Sequence, residues 1–145
     1  MKELSRFPFY DNRIPFWLHD REITDIFPKD GGITITLAPC DDGRPYSDMD
    51  VIHISNCDWD DTMVYYKHSF APFHIPLFVG KLCEPDIFKK LLAKNKTLSI
   101  IDEYYGNDFH LHIWVFPHRF RTAAELSVHF AANAESEIIC YTNTK

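Results

Sequence analysis

Glu22-Ile23-Thr24-Asp25-Ile26-Phe27, a break at Lys29-Asp30-Gly31-Gly32, and then Ile33-Thr34-Ile35-Thr36-Leu37 decide how this chain reads. In the second run, isoleucine and leucine alternate with threonine without interruption. An extended strand sends successive side chains to opposite faces, so such a run makes a ribbon apolar on one side only. Asp-Gly between two extended runs supplies residues that tolerate positive φ, which a tight hairpin turn needs. The segment therefore reads as a β-hairpin, and the fold as one organised around a sheet.

Outward from that hairpin, Val51-Ile52-His53-Ile54-Ser55 and Thr62-Met63-Val64-Tyr65-Tyr66-Lys67 read as a second hairpin around Asn56-Cys57-Asp58-Trp59-Asp60-Asp61. His74-Ile75-Pro76-Leu77-Phe78-Val79-Gly80 reads as a short edge strand, because proline cannot donate to a central ladder. A first helix is expected from Pro85 to about Lys94. Proline suits its first position, lysines gather at its C-terminal end, and Ile87, Phe88, Leu91 and Leu92 form its apolar face. Residues 97–101 and 109–116 follow as strands joined by a turn around Tyr105-Gly106-Asn107-Asp108. Thr122 and Glu125 stand in capping-box spacing, which predicts a second helix running to about Ala132. Residues 137–142 close the chain as a strand. The aromatic, proline-broken stretch from Arg6 to Leu18 is expected to lie across the body as an apolar strap. Strands first and strand–helix–strand units later imply an α+β fold, a mainly antiparallel twisted sheet with two short helices packed on it.

Composition sets the class. The chain has 145 residues, 46% hydrophobic and 25% charged, which fits one globular domain spanning 1–145. Aromatic residues reach 15%, in keeping with a sheet-rich core. Met1-Lys2-Glu3-Leu4-Ser5-Arg6-Phe7-Pro8 lacks the apolar stretch of a secretion signal, and no run approaches the roughly 18 apolar residues of a membrane helix. A cytoplasmic, non-membrane protein is expected. Cys40, Cys57, Cys83 and Cys140 are dispersed, with no C-x-x-C pair, so they are expected to be reduced thiols rather than zinc ligands.

Catalytic signatures are missing from this pattern. The five glycines match neither the Walker nor the dinucleotide-binding spacing, and no G-x-S-x-G elbow occurs. His110-Leu111-His112 is the most suggestive feature, since residues two apart on a strand share a face and could hold one metal ion. His118 or a distant carboxylate would have to supply the third ligand of a small metal-dependent enzyme. The same strand, however, alternates Leu111, Ile113 and Val115 with His110, His112 and Trp114, the pattern of an ordinary strand buried on one side. The expectation is therefore no metal, no cofactor and no catalytic residue.

Charge is more informative. Between residues 41 and 61 stand Asp41, Asp42, Asp48, Asp50, Asp58, Asp60 and Asp61, against Arg44 alone, a net −6 that equals the charge of the whole chain. The acidity is thus one local feature. Asp58-Trp59-Asp60-Asp61 does not fit the EF-hand spacing, which argues against calcium. Nucleic acid would call for clustered bases, which argues against direct binding to it. Two readings remain: solvated turns, since Asp favours turns through local hydrogen bonds, and a basic protein partner, with Trp59 as an aromatic anchor ringed by steering charges.

In length, aromatic content and the acidic 41–61 window, the chain resembles the immunity proteins of bacterial contact-dependent growth inhibition systems, in particular those that neutralise ribosomal-RNA-cleaving toxins. That resemblance implies stoichiometric binding of a basic nuclease domain in the cytosol. It also implies an architecture similar to single-strand nucleic-acid-binding domains of the Whirly type.

Overall fold

The structure is a computed structural model that describes residues 1–8, 14–70, 77–106, 108–115 and 124–143. The decisive hairpin forms as its sequence requires: β2 (Glu22–Lys29) and β3 (Gly32–Leu37) pair antiparallel, with Lys29 opposite Gly32. Asp30 and Gly31 between them both take positive φ, 49° and 70°, so that the turn's twist matches that of its strands. Gly32 is required for a different reason. A Cβ there would lie 2.1 Å from the Ile54 carbonyl oxygen on the neighbouring strand.

The remaining elements are β1 (Lys2–Pro8), β4 (Val51–Ser55), β5 (Met63–Phe70), β6 (Leu77–Cys83), α1 (Ile87–Asn95), β7 (Leu98–Tyr105), β8 (Phe109–Val115), β9 (Ala124–Phe130) and β10 (Glu137–Thr142). All ten strands join one sheet in the order β1-β10-β4-β3-β2-β7-β8-β9-β5-β6, and every neighbouring pair is antiparallel.

The sheet consists of two five-stranded halves that meet at β2 and β7, where only Glu22↔Ser99 and Ile23↔Leu98 are in register. Bulges interrupt the ladders on both strands beside this seam, between Ile23 and Asp25 and between Ile100 and Asp102. Bulges bend the strand that carries them, and here they turn the sheet through a corner. Phe16 reports the result: its ring lies 6.0 Å from Phe7 of β1 and 6.3 Å from Tyr105 of β7. A flat sheet would hold those two strands about 24 Å apart at about 4.8 Å per strand. The sheet is therefore coiled onto itself, and one core unites Ile35, Ile54 and Cys140 of the first half with Val64, Leu111 and Leu126 of the second. Helix α1 packs on β2 and β7, covering the seam with Phe88 and Leu91.

Several expectations hold. The early hairpin, the helix after Pro85, the closing strand and the inward Leu111, Ile113 and Val115 are all present. β6 is an outer strand as its proline suggested, although residues 71–76 lie outside the described ones. Two expectations are corrected, and a third holds in part. Ala124–Phe130, read as the second helix, is strand β9, with Ala124, Leu126, Val128 and Phe130 buried and the residues between them turned outward. β4 and β5 are not a hairpin: β4 pairs with β3 and β10, and β5 with β9 and β6, in opposite halves of the sheet. Of the expected apolar strap, residues 6–8 belong to edge strand β1, residues 9–13 lie outside the described ones, and Leu18 is buried as expected. Phe16 is buried among Phe7, Tyr46 and Tyr105, but Trp17 is 74% exposed. The architecture is thus a mainly antiparallel sheet with one short helix among the described residues, none of whose helices is long and apolar enough to cross a membrane.

Candidate functional site

Strand β4 separates the acidic residues into two groups. Asp41, Asp42, Asp48 and Asp50 precede it, while Asp58, Asp60 and Asp61 follow it at the opposite end. The first group rides on a loop tied down from beneath by Arg21. This buried guanidinium donates to the carbonyl oxygens of Met49 at 2.5 Å, Tyr46 at 3.4 Å and Ala38 at 3.5 Å. Asp42 is bound to Arg44, which holds its carboxyl well below the usual carboxylate range. Asp50 accepts the backbone N–H of Asn143 at 2.6 Å and so fastens the end of β10. Within this group Asp41 and Asp48 are exposed, whereas Asp42 and Asp50 already have partners in the chain.

The second group forms a shaped surface. Asp58 accepts the N–H of Asp60 at 2.9 Å through its side chain, and its carbonyl accepts the Thr62 hydroxyl at 3.0 Å. This is the local bonding that makes Asp a turn former. The turn props Trp59 against Phe88 of α1, ring centroids 6.3 Å apart. Asn56, itself at positive φ, donates to the Glu135 carbonyl, and its own carbonyl accepts from Asn133 and Ser136. These bonds stitch the β4–β5 and β9–β10 crossings together. The result is an open concavity of about 740 Å³ lined by Lys29, Asp30, Asp58, Trp59, Asp60 and Glu135 among others. Its lining has four carboxylates and a single lysine, which reaches Asp30 at 4.0 Å. Asp30 and Glu135 lie outside the 41–61 window. They join the site only because two further turns end at the same edge of the sheet. Asp61 is exposed beside the concavity without lining it.

A second cluster occupies the outward face of the other half. His110 and His112 do share the outer face of β8, as their spacing demands, but they go to different partners. His112 bonds Glu125 of β9. His110 faces His129 of β9, directly opposite in register, with ring centroids 4.6 Å apart. Asp108, in the turn before β8, meets both: its Oδ1 lies 3.2 Å from His110 Nε2, and its Oδ2 is hydrogen-bonded by His129 Nε2. The bond from His129, together with the positive charge available on both imidazoles, lowers the Asp108 pKa. His118 lies outside the described residues.

The cysteines are all free thiols. Burial pushes Cys57 up to about 11 and Cys140 up to about 12, so neither offers a thiolate for nucleophilic chemistry near neutrality. No protein-family model, curated protein or solved structure matches the chain.

Proposed function

We propose that this protein is an immunity protein. It binds a basic, RNA-cleaving nuclease toxin domain in the cytosol and covers the surface with which that domain grips RNA. The observation that carries this reading is the Trp59 concavity, whose lining holds four carboxylates and one aromatic ring. A nuclease surface is studded with lysine and arginine to hold phosphates. A concave acidic surface with a tryptophan in its lining offers such side chains both countercharge and an apolar platform. Charge also favours speed, since complementary patches raise association rates to about 10⁸ M⁻¹s⁻¹ or more at low salt. Asp41 and Asp48, at the far end of β4, would add to this long-range attraction without direct contact. The proposed likeness to Whirly-type domains is architectural and implies no binding of nucleic acid.

The test is kinetic. Association with the cognate toxin domain should slow steeply as salt rises, because charges are screened beyond about 8–10 Å at physiological ionic strength. The pair Asp58→Lys and Asp60→Lys should slow it at least tenfold, and Asp30→Lys with Glu135→Lys should do the same. Trp59→Ala should act on dissociation instead. It should also lower thermal stability, since the ring leans on Phe88. Association indifferent to salt and to all four charge reversals would refute the reading.

A further inference from the structure

The geometry points to a divalent transition-metal site formed by Asp108, His110 and His129, suited to Zn²⁺ and carrying an open coordination position. One oxygen of Asp108 and one nitrogen from each imidazole all lie within 4.8 Å of one another. A tetrahedral metal at about 2.0–2.2 Å from each ligand sets its donors about 3.3–3.6 Å apart, so the three atoms must draw together by up to about 1.5 Å, a movement that small side-chain rotations supply. The backbone already sets the arrangement. His110 and His129 are register partners on β8 and β9, and Asp108 precedes His110 by two residues, at the turn entering the strand.

The donor set selects the ion. Two imidazoles and a carboxylate suit zinc and its borderline neighbours, whereas calcium and magnesium prefer sites built of oxygen. Access is available, because the side chains of His110, Asp108 and His129 are 39%, 35% and 23% exposed. A depression of about 320 Å³ lined by Tyr104, His110, His112 and Glu125 opens beside His110. Three protein ligands leave the fourth tetrahedral position to water or to an incoming group. In the structure His129 Nε2 is hydrogen-bonded to Asp108, and its Nδ1 is buried without a partner. Metal binding would replace that bridging proton and place hydrogen on Nδ1. A metal-bound histidine whose other nitrogen lacks an outer partner binds about 10–100-fold more weakly than one that has it. The site is accordingly a moderate-affinity one, filled according to metal supply.

This inference is independent of the acidic concavity and uses a ligand set different from a His110/His112 pair. The experiment is calorimetric titration of chelator-stripped protein with Zn²⁺, together with visible absorption of the Co²⁺ form. One ion per chain is expected, with Co²⁺ bands of tetrahedral intensity. Asp108→Asn and His129→Gln should each weaken binding at least tenfold, while His112→Ala should leave it unchanged. Circular dichroism confirms folding of each variant, and His110→Gln, altering the most exposed of the three, serves as a further ligand test should either of the others unfold. Absence of saturable binding would overturn the assignment. So would binding lost in His112→Ala, or binding retained in folded Asp108→Asn, His129→Gln and His110→Gln proteins.

Discussion

Single residues in this chain carry competing demands, and Glu103 is the clearest instance. It lies on the inner side of β7, opposite Leu111, and accepts the backbone N–H of Leu18 at 2.7 Å. Burial raises its pKa above the ordinary 4.5, and the Leu18 bond only partly offsets this. A carboxyl whose folded pKa is raised contributes most to stability below its unfolded value and loses that contribution as pH rises through the folded value. Glu103→Gln keeps an acceptor for Leu18 and removes the charge. Thermal denaturation should show the variant at least as stable as the parent near neutral pH, with the advantage gone below about pH 4.5. A variant that is clearly less stable at neutrality would show that the charged Leu18 bond outweighs the cost of burial. Trp59 is divided in the same way between an acidic rim and a packed ring. The sequence revealed its acidic neighbours but not Phe88, because a contact between residues 29 positions apart leaves no local trace.

At the level of elements, what was legible is what local chemistry determines. Asp30-Gly31 accepted two positive φ values, and Ile33–Leu37 alternated, so β2–β3 could be read directly. Gly31 and Gly32 nevertheless serve different purposes. Gly31→Ala meets open space and should cost about 1–2 kcal/mol for its left-handed backbone alone. Gly32→Ala drives a Cβ into the Ile54 carbonyl and should cost about 3 kcal/mol, with β3–β4 amide protection falling in hydrogen exchange. Equal costs would mean that the β3–β4 ladder yields easily. Strand β9 was misread because Thr122 and Glu125 imitate a capping box and Ala, Glu and Leu favour helices. Its strict alternation, Ala124-Leu126-Val128-Phe130 against Glu125-Ser127-His129, was the better guide. That misreading also hid the Asp108–His110–His129 cluster, because His129 reaches His110 only if both lie on paired strands. The acidic site was half legible for a similar reason: Asp30 reaches it from the β2–β3 turn and Glu135 from the β9–β10 crossing, which no single sequence window joins.

For the whole molecule, the question is whether two five-stranded halves joined by a two-pair seam behave as one body. The seam's own ladder is short, and its bulges remove further backbone pairing. Backbone bonds from Asp20 N–H to the Ile100 carbonyl at 3.0 Å and from Ile100 N–H to the Arg21 carbonyl at 2.8 Å extend the ladder, and side chains supply the rest of the cohesion. The core is continuous across the corner, α1 seals it with Phe88 and Leu91, and Phe16 joins Phe7 of the first half to Tyr105 of the second. Among the described residues neither half has a second layer of its own to cover its inner face, since each serves as the other's. Separation would expose both faces at once, and small domains with one shared core unfold in a single transition. Leu111→Ala in the second half and Ile35→Ala in the first, both at fully buried positions, should each lower stability by about 2–5 kcal/mol. Both should shift the entire urea curve without splitting it. Of the three tryptophans, Trp114 lies on β8, so in a Trp17→Phe, Trp59→Phe background fluorescence follows the second half, while far-UV circular dichroism follows the whole sheet. Coincident curves in both variants are the expected result. A Leu111→Ala protein whose fluorescence transition precedes the loss of sheet signal would show that the first half stands alone, and that the seam divides the chain into two folding units.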